Sequence, residues 1–135
     1  MKDDCIFCKL ANGIFATNSI YEDDDFNVIL DAGPATKGHA LILPKEHYAN
    51  IYEMPEELLS KAMVLAKQQV GHMTEVLKTD GFNLVQNNGE IAGQTVFHYH
   101  LHLIPRYAND GQKIGWNPQS PEDDAQKELC EQLKR

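Results

Sequence analysis

From Leu59 to Leu77 the apolar residues Leu59, Ala62, Met63, Ala66, Val70, Met73 and Leu77 recur at intervals of three and four. That spacing lines one face of an α-helix. It predicts a long helix from Pro55 to about Lys78, with Pro55 in its first turn and Glu56 and Glu57 complementing its dipole. Asp80-Gly81 is the expected stop. Elsewhere the runs are short and β-rich. Ser19 to Tyr21 and Phe26 to Leu30 flank an acidic turn and read as a hairpin. "HALILP" is an apolar strand ended by Pro44, and "FNLVQN" and "VFHYHLHLIP" are two more, joined by the Gly-bearing loop "NGEIAGQ". Near the start, "IFCKLANG" reads as a short helix closed by Gly13. Ser120 as cap, Pro121 and the acidic run Glu122 to Asp124 signal a final helix. The expected class is α+β: about five strands in an antiparallel sheet, with one long helix and shorter terminal helices.

Length and composition narrow the setting. At 135 residues, with no internal repeat or linker, one domain is expected, residues 106–135 forming its C-terminal extension. A net charge of −8 argues against nucleic acid or an anionic membrane as partner. No apolar run approaches the roughly 18 residues of a membrane span. The acidic start "MKDDCIFCKL" lacks a signal-peptide core, so the expected compartment is the cytoplasm.

The chemistry concentrates in "GQTVFHYHLHLIPR", residues 93–106, where three of the chain's six histidines fall within five residues. In a strand, His98, His100 and His102 share one face while Phe97, Tyr99, Leu101 and Leu103 share the other. The apolar face must pack, most simply under the long helix, which leaves the imidazoles on the working face. Same-face neighbours stand roughly 6.6 Å apart, so three on one metal ion would require a bent strand. Division of labour is the simpler arrangement.

Cys5 and Cys8 give a reason for it. A C-x-x-C pair is half of a tetrahedral zinc site, and His47 with one histidine of the triplet would complete it. Redox use of the pair lacks its βαβ context, and reduced structural thiols are the remaining alternative to zinc. Cys130 stands alone. A second imidazole is then free to attack phosphorus, with its other nitrogen held by an acceptor. Gln94, the Thr95 hydroxyl, amides near Gly93 and the Asn87 amide are candidate donors to phosphoryl oxygens. No P-loop pattern is present.

"GQTVF" followed by "HYHLHL" resembles the signature of the histidine triad family of nucleotide hydrolases and transferases. "CIFCKLANGI", "YEDDDFNVILD", "GHALILPKEH" and "NNGEIAGQTVFHYHLHLIPR" extend the resemblance over most of the chain. It implies a homodimer acting on the α-phosphate of purine nucleotides through a nucleotidyl-histidine intermediate, releasing a nucleoside monophosphate. His100 matches the nucleophile, His102 the residue orienting the reacting centre and leaving group, and His39 the additional histidine beside them. Gln94, Thr95 and Asn87 match phosphate-side donors, and Asp31 the acid on the ribose hydroxyls. Ile6, Phe7, Ile14 and Leu30 match positions that sandwich the base. Relatives carrying C-x-x-C imply a structural zinc on Cys5, Cys8, His47 and His98. The long segment after the triplet, with Arg106 and Trp116, is closer to branches cleaving dinucleoside polyphosphates than to the compact phosphoramidase branch. Two rival readings are a non-catalytic nucleotide sensor and a metal hydrolase with His98 and His100 as catalytic ligands. The second lacks a carboxylate ligand near the triplet.

Overall fold

The computed structural model describes residues 1–135. Its elements run α1 (Ile6–Ala11), β1 (Ser19–Glu22), β2 (Phe26–Leu30), β3 (Ala40–Pro44), α2 (Glu56–Leu77), β4 (Gly81–Val85), a single 3₁₀ turn (Glu90–Ala92), β5 (Leu101–Arg106) and α3 (Asp123–Leu133). The strands form one sheet of order β1-β2-β3-β5-β4, and every neighbouring pair is antiparallel. The α+β class, the five-stranded antiparallel sheet and the long helix agree with the sequence pattern. No helix is long and apolar enough to cross a membrane.

Central β3 is covered on both faces, which is why "ALILP" is apolar without alternation. Ala40 and Ile42 belong to the cluster under α2, with Phe26, Val28, Tyr99, Leu101, Leu103, Ala62, Leu65, Ala66 and Met73. Leu41 and Leu43 face the other way and pack with Ile29 and Ala11, next to Phe7 and Leu10. Each fully buried Leu or Ile in these layers stabilises the fold by roughly 1.5–3 kcal/mol.

The local stops obey backbone chemistry. α1 ends in a Schellman motif: Gly13, at φ +76°, donates to the Leu10 carbonyl and Ile14 to that of Lys9. In the hairpin turn, Asp23 Oδ1 accepts the amides of Asp25 and Phe26, both at 2.8 Å. α2 is closed by Lys78 in the left-handed region, φ 56°, whose amide bonds the Thr74 carbonyl. The stop expected at Asp80-Gly81 therefore falls earlier, and Gly81 opens β4 instead.

Two expected elements differ. The sequence pattern starts the histidine strand at Val96, yet ladder pairing begins at Leu101, because the β3–β5 register ends at Ile42↔Leu101. Upstream of it, Tyr99 N–H bonds the Tyr48 carbonyl at 2.7 Å, so the chain still runs alongside the segment after β3. The alternation therefore survives without a ladder, except that Phe97 is 47% exposed and does not join Tyr99, Leu101 and Leu103 in the core. The last helix starts at Asp123 rather than after Ser120; its cap is Glu122, without a side-chain bond. None of its residues is buried, so the acidic first turn rather than tertiary packing decides where it begins.

Candidate active site and metal centre

The histidine segment lies on the α1 side of the sheet, where His102 pairs with Leu41 of β3. Its three imidazoles meet different environments. His98 is fully buried and points to the corner formed by α1 and the segment after β3. There its Nδ1 lies 3.5 Å from Cys5 Sγ and 3.4 Å from Cys8 Sγ, while His47 Nδ1 lies 3.3 Å from Cys8 Sγ. Four ligands on a tetrahedral zinc would place sulfur and nitrogen about 3.6 Å apart. The tautomer also fits: His98 Nε2 donates to the Pro44 carbonyl at 2.8 Å, leaving the Nδ1 lone pair for a metal. Backbone amides of Cys8 and Lys2 donate to Cys5 Sγ and Cys8 Sγ, stabilising thiolate charge. Burial, reinforced by the neighbouring Cys5 thiol, pushes the Cys8 thiol up, and a bound cation would reverse that penalty. Cys5, Cys8, His47 and His98 thus form a four-residue cluster able to hold a metal ion.

His100 is 8% exposed. Its Nδ1 donates to the His98 carbonyl at 2.7 Å, so Nε2 carries the lone pair. Phe7 stands edge-on to it, with ring centroids 4.8 Å apart. Burial pushes the pKa of His100 down, keeping the ring neutral and nucleophilic at neutral pH.

The third imidazole is set by a chain of tautomers. The Ala35 amide donates to His39 Nδ1 at 2.9 Å, so neutral His39 carries its proton on Nε2. That nitrogen lies 2.9 Å from His102 Nδ1, which must accept. His102 therefore bears its proton on Nε2. Burial and the neighbouring His100 and His39 push His102 down to about 4, and burial lowers His39. Asp31, His39 and His102 also crowd their ligand atoms together. A metal on His39 Nε2 would force a proton onto Nδ1, against the Ala35 N–H. This second cluster is a hydrogen-bonded chain, not a metal site.

A cleft of about 850 Å³ opens over His100 and His102. Ile6, Phe7, Leu30, Asp31, Asn87 and Thr95 line it, as expected from sequence. His39 sits behind His102 instead. Asp31 Oδ1 accepts the Gly33 amide at 2.8 Å, leaving Oδ2 for other partners and 3.5 Å from His39 Nε2. Gly93, at φ +100°, brings the loop against Asn87; a Cβ there would lie 3.3 Å from Asn87 Nδ2.

Two expected ligand residues do not face the cleft. Gln94 is 2% exposed, and its amide is spent on its own loop: Nε2 donates to the carbonyls of Ala49 at 2.6 Å and Val96 at 3.1 Å, and Oε1 accepts the Gly89 amide at 2.9 Å. A side chain with both donors used braces the loop rather than a phosphate. Ile14 is 54% exposed, just beyond the α1 stop, and lies outside the cleft lining. Sequence reasoning misses Leu10, Ala16 to Asn18, Ile29, Ala32, Pro34 and Leu41. Leu41 and Ile29 are legible as core strand residues, but not as the floor of a cleft. Arg106, in the segment after the triplet, grips Asp110 through Nε at 2.7 Å and Nη2 at 3.0 Å rather than reaching outward. Cys130 and His72 are exposed and stand apart from the site.

Residues 14–109 match the model of the HIT domain, the histidine triad fold unit. An uncharacterised HIT-like protein of Methanocaldococcus jannaschii is 45% identical over 82% of this chain and 84% of its own length. The adenosine 5'-monophosphoramidase of Saccharomyces cerevisiae is 38% identical over 96% of this chain and 80% of its own. Among solved structures, SMU.412c from Streptococcus mutans superposes with a TM-score of 0.93 at 38% identity, covering 98% of this chain and 85% of that one. A zinc-bound histidine triad family protein from Mycobacterium smegmatis gives 0.78 at 36% identity, covering 86% and 84%. With this likeness spanning both the sheet and the His98–His102 segment, the chain belongs to the histidine triad family and is a hydrolase of that type.

Proposed function

We propose that this protein cleaves purine nucleotides at the α-phosphate through a nucleotidyl-His100 intermediate, releasing a nucleoside monophosphate from a phosphoramidate or a dinucleoside polyphosphate. One observation carries the reading: His100 donates Nδ1–H to the His98 carbonyl and so turns a lone pair on Nε2 to the cleft. In the first step Nε2 bonds phosphorus as the bond to the leaving group breaks. A leaving nitrogen departs with the bonding pair and takes a proton from solvent. Water then attacks phosphorus, the N–P bond breaks, and Nε2 recovers its pair while a proton returns to solvent. His102, neutral with its proton on Nε2, is a hydrogen-bond donor to a phosphoryl oxygen. Losing that proton would leave an anionic ring, so it is not the acid. Asn87 and Thr95 are further donors at the phosphate, Asp31 Oδ2 takes ribose hydroxyls, and Ile6, Phe7 and Leu30 pack the base.

The metal corner is assigned a structural zinc, on Cys5, Cys8, His47 and His98. Four protein ligands leave no open position for a substrate or water, so the ion would tie α1 to the segment carrying His100 and enter no chemical step. The whole chain acts as one domain, residues 106–135 included, and pairs as a homodimer. Exposed Met63, Val64 and Val76 on α2, exposed Leu84 on the open edge strand β4, and the unpacked α3 support pairing. Sedimentation equilibrium at micromolar concentration should return two chains per particle; a monomer throughout removes that part.

The test of the chemistry is hydrolysis of an adenosine phosphoramidate and of a dinucleoside tetraphosphate by wild type and His100→Ala. Wild type should release the monophosphate and the variant should be slower by about 10⁴-fold or more while remaining folded. Binding without turnover by both proteins would replace the enzyme with a nucleotide sensor.

A further inference from the structure

The tautomer of His39 depends on one backbone amide, that of Ala35, and Ala35 lies in a loop with no ladder of its own. What holds that loop comes from the far end of the chain. Gln112 Nε2 donates to the Ala35 carbonyl at 2.8 Å, and Tyr107 Oη donates to the Lys37 carbonyl at 2.6 Å. Between them the buried Thr36 donates its hydroxyl to the Pro105 carbonyl at the end of β5. Three consecutive residues are thus gripped from the 105–112 segment.

That segment is itself a closed turn. Arg106 bonds both carboxylate oxygens of Asp110, the Asn83 side chain and the Gln112 carbonyl. Asp110 in turn accepts the amides of Tyr107 and Gln112. From inside, Gly38 leaves no slack: at φ +90°, a Cβ would meet Leu77 Cδ1 at 2.6 Å.

We propose that Tyr107 and Gln112 are positioning residues for the reaction, holding Ala35 N–H on His39 Nδ1 and thereby keeping the proton of His102 on the cleft side. They touch neither substrate nor the triad. This rests on the catalytic reading above, since the tautomer matters only if His102 must donate into the cleft. It also gives the first turn of the C-terminal extension a role in the active site of the same chain. Without the clamp, the 35–37 backbone is free to turn the amide away. His39 then samples its Nδ1–H form, and His102 accepts where it should donate.

The experiment uses the full-length protein labelled with ¹⁵N-histidine, as wild type and as the Tyr107→Phe/Gln112→Met double variant. Long-range proton–nitrogen correlation reads the imidazole tautomers, and phosphoramidate turnover is measured in parallel. The expected result is a His39 signal moving from the Nε2–H form toward a mixture, with kcat lower by about tenfold and KM within about twofold. An unchanged tautomer overturns the proposal, whether or not kcat falls. A shifted tautomer with unchanged kcat overturns it as well. If wild type turns over no nucleotide, the catalytic reading fails by itself, and the imidazole spectra still decide whether the clamp sets the tautomer.

Discussion

The histidine segment is anchored at its two ends by unlike chemistries. At the His98 end, two buried cysteines meet two imidazoles, those of His98 and His47, through sulfur–nitrogen distances of 3.3 to 3.5 Å. At the His102 end, a loop and a C-terminal turn converge through neutral hydrogen bonds between backbone and side chains. The first anchor gathers its ligand atoms at one point able to hold a metal ion and, on the proposed structural-zinc reading, draws its strength from that ion. The second spreads over several weak bonds and depends on geometry. Their failures should therefore differ in kind: loss of the first unfolds, and loss of the second misdirects.

The largest separation is expected from Cys8→Ser or from prolonged chelation of the wild type. Either should lower Tm by about 10 °C, since the binding energy of a structural metal is folding energy. Activity should be lost in step with the unfolded fraction. A chelated protein that keeps its Tm but loses turnover would make the metal catalytic and erase the distinction.

The Tyr107→Phe/Gln112→Met variant should show the reverse pattern, its roughly tenfold loss in kcat accompanied by a Tm change of only about 3 °C. A Tm collapse there would make the second anchor structural too.

The smallest effect is one of pH. His102 is held near 4 in the folded chain against an ordinary value of 6.5, and His39 and His100 shift the same way. Between those limits the unfolded chain binds protons that the folded chain refuses. The stability these groups contribute is complete above about pH 6.5 and declines as pH falls toward 4. Denaturant unfolding of wild type from pH 7.5 to 4.5 should show that decline, and His102→Asn should show a shallower one. Parallel slopes would move the acid sensitivity to the metal end, where His98 is also depressed to about 4.

Much of the molecule is legible in its sequence. The spacing from Leu59 to Leu77 identifies the long helix because one packed face imposes its period. The apolar run "ALILP" marks a strand, whose central place in the sheet comes from the structure. Cys5, Cys8 and His47 together with one histidine of the triplet are legible as a candidate metal cluster by residue type and spacing, and the structure brings Cys5, Cys8, His47 and His98 together. The elements and the grouping of the cluster are legible because they rest on local periodicity and on the coordination preferences of thiol and imidazole.

Other questions are settled only by contacts between distant residues. Gln94 has the composition of a phosphate donor, yet Ala49, Val96 and Gly89 use up its amide. Ile14 looks like a base contact, yet the Schellman stop at Gly13 leaves it outside the cleft. The ladder begins at Leu101 rather than Val96 because β3 ends its pairing there. Nothing in the sequence pairs Arg106 with a partner, yet it closes a turn with Asp110. The proton position on His102 lies furthest from sequence, since it is fixed through His39 by the amide of Ala35, and that amide by residues more than seventy positions away. Periodicity specifies which groups are present and which face they share; only tertiary contacts decide where each hydrogen bond ends.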